Sequence, residues 1–180
     1  AGFFRIKRIR ITGFTESTST VNFNGTGAQT INTTGGEDFY IVQKSGTGTT
    51  TLASGVILGG GASSLNISAG VLDASTFTLS GTASTTLVMS GGTLKLAKLG
   101  TTLPEFIITP NYNLTGGTIE LNGTGNQVLR GTRTYNNLTF SNSGTKTLSS
   151  TLAFNNPALV TIANSAILDV NNNTFGDANT

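Results

Sequence analysis

The amino-acid sequence predicts an all-β chain wound as a parallel β-helix, or β-solenoid, of about seven coils. Three observations carry that expectation. Ten residues occur nearly twice, "TVNFNGTGAQ" from Thr20 and "TIELNGTGNQ" from Thr118, 98 positions apart. A shorter period lies inside the long one: "SAGVLDA" starts at Ser68, "SGGTLKL" at Ser90 and "TGGTIEL" at Thr115, spaced by 22 and then 25 residues. Apolar residues also alternate with polar ones in short runs separated by Gly, Asn, Ser and Thr, which is the pattern of half-buried strands.

The elements follow in order. Residues 3–11, "FFRIKRIRI", alternate apolar and cationic side chains and read as a strand foreign to the repeat. Phe3, Phe4, Ile6, Ile9 and Ile11 are its candidate assembly residues, packing on a neighbour's terminal coil or on the chain's own first coil. Residues 1–19 are therefore a basic and apolar capping or assembly segment, and residues 20–180 the repeat solenoid. Val21 and Phe23 form the first repeat strand, and Asn24-Gly25-Thr26-Gly27 turns the chain, because Asn and Gly tolerate left-handed backbone. Leu65/Ile67, Phe77/Leu79, Leu94/Leu96, Leu138/Phe140 and Val160/Ile162 repeat the alternation, and apolar triplets stand at 56–58, 87–89 and 106–108. Ile119 and Leu121 are the copies of Val21 and Phe23, so all four should point into one core, about four coils apart. A propeller blade needs about 40 residues or more, longer than this period. A β-sandwich is the alternative fold.

Composition narrows the function. The 180 residues include 33 Thr, 24 Gly, 18 Asn and 16 Ser, while 36% hydrophobic content at regular intervals argues for order over a flexible linker. Without Cys or His there is no disulfide, no thiolate metal site and no Ser-His-Asp triad. No run of 18 apolar residues is present, so no membrane-spanning helix is expected. Four of the ten basic residues, Arg5, Lys7, Arg8 and Arg10, crowd into one segment, and the remainder carries six basic against eight acidic groups. That segment has no nucleic-acid module and no aromatic stacking platform, so no nucleic-acid partner is expected.

The acidic residues offer little catalysis. Glu37 and Asp38 adjoin in the Gly-rich "TTGGEDF", and Asp73 and Asp169 are repeat-equivalent, which suits a turn and not a unique catalytic pair. Calcium needs six or more oxygens, and "GGGASS" at 59–64 lacks the Asp of calcium-binding β-rolls. No catalytic residue, metal or cofactor is expected, and the chain is not expected to be an enzyme.

The phrases "FNGTGAQTI", "TYNNLTFSNSGTKTL" and "AILDVNNNTF" resemble repeat regions of long bacterial surface proteins. They are similar to β-solenoid adhesins of Bacteroidetes-type bacteria and, more loosely, to autotransporter and filamentous-haemagglutinin passengers. The resemblance covers about residues 20–176 and implies an extracellular or cell-surface protein that builds a stalk, fibre or filament. Its expected partner is a second copy of itself, stacked head to tail because a β-helix has unpaired edges at its ends. An adhesin module binding a glycan or a cell surface is the alternative, and a polysaccharide-active enzyme is less favoured. Three Tyr and no Trp offer little surface for stacking sugars.

Overall fold

A computed structural model describes residues 9–11, 18–33, 38–105, 112–155 and 157–177, with the side chains of 9–11 and 177 outside that description. Every regular element among the described residues is a strand. Thr, Val, Ile and Leu dominate them, and side chains of this kind pack well on a pleated, half-buried surface.

The chain passes from coil to coil. β1 (Ile9–Ile11) precedes a first coil of β2 (Thr20–Phe23), β3 (Gln29–Thr33) and β4 (Asp38–Phe39). The second holds β5 (Ile41–Lys44), β6 (Thr49–Leu52) and β7 (Val56–Leu58), and the third β8 (Ser64–Ile67), β9 (Val71–Asp73) and β10 (Leu79–Gly81). In the fourth, β11 (Thr86–Leu96) is followed by β12 (Thr102–Leu103). The fifth holds β13 (Tyr112–Leu121), β14 (Gln127–Leu129) and β15 (Thr134–Tyr135). β16 (Asn137–Phe140), β17 (Thr145–Leu148) and β18 (Leu152–Phe154) make the sixth. β19 (Val160–Ile162), β20 (Ile167–Asp169) and β21 (Phe175–Asp177) make the seventh.

All pairings are parallel, as a solenoid requires. They build an 11-stranded sheet from β1 to β19, a sheet of β4, β7 and β10, another of β12, β14, β17 and β20, and a last of β15, β18 and β21. The chain is thus an all-β solenoid of about seven coils. The three phrases spaced by 22 and 25 residues are its coils, since Val71, Thr93 and Thr118 stack in register.

Inward positions form columns. One runs Leu72, Leu94, Ile119, Leu138, Val160, and another Leu96, Leu121, Phe140, Ile162. A third column runs Val21, Val42, Leu65, Leu87, Tyr112, with Phe23, Lys44, Ile67, Met89 and Leu114 beside it. Phe23, Ile119 and Leu121 are buried, and Val21 is half-buried against the same core. Each buried Leu or Ile contributes roughly 1.5–3 kcal/mol through the apolar area it removes from water.

The two sequence copies nevertheless do not stack on one another. Four coils up the ladder Val21 meets Tyr112, 91 positions on, whereas its copy Ile119 lies 98 positions on. Those seven residues carry the second copy one strand further around the coil. β2, β5 and β8 lead to the first half of β11, but their equivalents in the second half of β13, in β16 and in β19 continue the line of β3, β6 and β9. β11 and β13 join the two lines because Gly91-Gly92 and Gly116-Gly117 carry the strand around the corner. Gly117 has φ +76°, and a Cβ there would stand 2.4 Å from the Gly91 carbonyl oxygen, so only Gly fits. Phe77, expected in a strand with Leu79, lies instead in a turn before β10 and is exposed.

Candidate functional site

The duplicated NGTG turn does more than reverse the chain. The Gln that ends each copy folds back four residues, where its Oε1 accepts the N–H of the first turn glycine. Gly25 N donates to Gln29 Oε1 at 3.1 Å and Gly123 N to Gln127 Oε1 at 2.8 Å. Gln127 is buried, and its Nε2 also donates to the carbonyls of Leu96 at 2.8 Å and Lys98 at 3.0 Å. Stacked turns bring several carbonyls together away from water, and such acceptors need donors.

Lysine supplies them. Lys146 is fully buried, and its Nζ donates to the carbonyls of Gly123 at 2.7 Å, Gly125 at 3.0 Å and Ser143 at 3.0 Å. Lys44, equally buried, donates to the carbonyl of Gly46. Burial lowers the pKa of both lysines from the usual 10.5. The sequence reading missed them because a cation in a strand looks outward-facing. The signal was present: Lys146 alternates with Leu148, and Lys44 with Val42, at inward spacing.

A second polar cluster surrounds two tyrosines. Tyr135 is buried and donates from its hydroxyl to the Arg130 carbonyl at 2.6 Å, while the Arg133 guanidinium lies 5.1 Å from the Tyr112 ring centre. Burial pushes Tyr112 up to about 12 and Tyr135 well above the usual 10.0. Arg130 spends its donors on the carbonyls of Pro104 and Thr102 at 3.0 and 3.3 Å. Both guanidinium groups thus hold backbone in place.

Four of the acidic residues are taken up by structure. Asp73 Oδ1 accepts the N–H of Ser75 at 2.8 Å, and Asp169 Oδ1 that of Asn171 at 2.8 Å, each capping a residue in left-handed backbone. Glu105 pairs with Lys98 at 2.7 Å, and Glu120 with Lys95 at 3.3 Å. Glu37 lies outside the described residues. Among the described residues no three acidic side chains gather as a metal site. One outward ladder reads Thr30, Thr51, Asp73, Lys95, Glu120, Thr139, Thr161. Its charged middle breaks any continuous threonine array.

One hollow lies at the end of the stack. Phe154, Val160, Ile162, Leu168 and Phe175 line an open space of about 500 Å³, with the Phe154 and Phe175 ring centres 5.7 Å apart. Val160 and Ile162 end the inward columns, yet they are 37% and 50% exposed. Of the candidate assembly residues, Phe3, Phe4 and Ile6 lie outside the described residues, as do the side chains of Ile9 and Ile11. The backbone of Ile9 and Ile11 is placed: it pairs in parallel with Ile31 and Thr33 of the chain's own first coil. β1 therefore belongs to the same sheet as the repeat strands.

In comparisons with known proteins, no family model, curated protein or solved structure matches the chain.

Proposed function

We propose that the chain is an extracellular structural protein, a β-solenoid subunit of a surface fibre, filament or adhesin stalk whose copies stack head to tail. One observation carries this reading: the inward columns run to the last described coil and end on exposed Val160 and Ile162, beside the half-open Phe175. In the coils below, residues at the same positions are buried under the next coil.

The occupant assigned to that end is a second copy. The 11-stranded sheet begins with β1 and ends with β19, and every strand between is parallel. A copy displaced along the axis therefore brings its β1 beside β19 in the same direction, continuing the ladder. Charge favours the same order: residues 3–11 carry four cations, and Asp169 and Asp177 are the only charged residues after Lys146. Such a contact is heterologous and does not close, so it gives a fibre and not a dimer.

Sedimentation and electron micrographs of the purified chain at rising concentration check this reading. Filaments are expected, with Ile162→Asp lowering the assembled mass while leaving the fold intact, because that side chain is half exposed already. A monomer at every concentration, unchanged by Ile162→Asp, overturns it.

A further inference from the structure

The chain contains two Asn-Gly pairs, Asn24-Gly25 and Asn122-Gly123, one in each copy of the NGTG turn. In such a pair the glycine nitrogen, unhindered by any Cβ, can attack the asparagine side-chain carbonyl carbon. The nitrogen gives up its proton, the side-chain nitrogen leaves as ammonia, and a five-membered imide forms. Water then opens the imide to aspartate or to its β-linked isomer. No oxidant or other co-reactant is needed.

We propose that Asn24 is the site of this modification in the folded chain, and that the Gln127 clamp withholds the same reaction from Asn122. The attacking nitrogen must first surrender its hydrogen bond. At Gly123 that bond is the short one to Gln127, whose amide is itself anchored on Leu96 and Lys98. The coils on either side grip this turn as well. The Asn122 N–H donates to the Leu96 carbonyl at 3.1 Å, and Lys146 holds the Gly123 carbonyl at 2.7 Å. Negative charge would gather on Asn122 Oδ1 as the ring closes, yet that atom is buried with no donor among the described residues.

The first copy shares the grip of the next coil, since the Gly48 N–H donates to the Gly25 carbonyl at 3.1 Å, but it differs at the asparagine and at the clamp. Asn24 is exposed, so water can solvate its carbonyl. The bond from Gly25 to Gln29 is longer, at 3.1 Å, and Gln29 is only half-buried. Among the described residues, its amide nitrogen has no carbonyl anchors of the kind that hold Gln127. The product places a new carboxylate on the first coil, and the β-linked form adds a backbone atom just after β2.

The full chain, incubated folded in mildly alkaline buffer, tests the proposal by peptide mapping with isoaspartyl methylation as the second readout. Asn24 is expected to convert about tenfold faster than Asn122, and Gln127→Leu to bring Asn122 within about threefold of Asn24. Should Gln127→Leu fail to fold, amide exchange on the unaltered chain decides the role of the clamp, with Gly123 expected to exchange at least about tenfold more slowly than Gly25. Equal conversion of the two asparagines, faster conversion at Asn122, or equal exchange of the two glycines overturns the proposal.

Discussion

Residues 20–81 and 118–177 run through the same succession of strands and turns, yet they satisfy their interiors with different chemistry. One step along the ladder from the clamping Gln, the first copy places Thr50 and the second Lys146. Thr50 is buried with its Oγ1 unpartnered among the described residues, whereas Lys146 binds three carbonyls. Phe39 in the first copy stands where Tyr135 stands in the second, both fully buried. The first copy does hold a buried cation, but Lys44 occupies the place that Phe140 takes in the second. The comparison teaches that a repeat preserves the backbone path and the inward–outward alternation. The polar contents of the core are settled separately, by whichever strand can reach the open carbonyls.

The largest expected effect comes from deleting the second copy's cation. Lys146→Met leaves the carbonyls of Gly123, Gly125 and Ser143 without their donor, at an expected cost of about 3 kcal/mol in urea unfolding. Lys44→Met, which frees one carbonyl, should cost about 1 kcal/mol. If Lys146→Met is neutral or stabilising, desolvation of the ammonium outweighs its hydrogen bonds, and the cation is not what distinguishes the copies.

Tyr135→Phe makes the second copy resemble the first at the Phe39 position. At neutral pH it should cost about 1 kcal/mol, for the bond to the Arg130 carbonyl. Alkaline pH separates this from simple packing. The folded pKa of Tyr135 lies above its unfolded value of 10.0, so the unfolded chain releases the proton first and stability falls as pH rises past 10.0. Removing the hydroxyl should flatten that loss by about 1.4 kcal/mol per pH unit. Lys44 and Lys146 act with the opposite sign. Their folded pKa values lie below 10.5, so their contribution rises as pH climbs toward 10.5. Melting curves of both chains between neutral pH and 12 check the difference; parallel curves would remove Tyr135 from the account.

The smallest effect sharpens the comparison from the other side. Thr50→Val keeps the shape and removes a buried hydroxyl that lacks a partner, so it should stabilise the chain by about 1 kcal/mol in thermal unfolding. A loss of stability instead would mean that the Thr50 hydroxyl has a partner outside the described residues.

The coil period was legible because "SAGVLDA", "SGGTLKL" and "TGGTIEL" are stacked neighbours, and their spacing is the length of chain needed to go once around. The one-strand displacement of the second copy was not legible. Local sequence cannot count corners when strands as long as β11 and β13 each run through one without a break. The buried lysines were hidden by their charge, since their partners are backbone carbonyls that leave no mark in the sequence. The alternation in "FFRIKRIRI" does continue as strand at Ile9–Ile11, but no residue pattern could say that its first partner would be β3 of the same chain.

The hydrogen bonds between coils all point along the axis of the stack, and each coil touches only its neighbours. Tension applied along that axis therefore loads one ladder after another, and the chain should lengthen in coil-sized steps. β19 and β20 of the seventh coil, like β2 and β4 of the first, are held on one side only, so these coils should peel away first. β11 and β13 share eight paired positions across two lines of the sheet, more than any other neighbouring strands, and so form the toughest link. A pulled molecule would shed its outer turns first and hold longest at its waist.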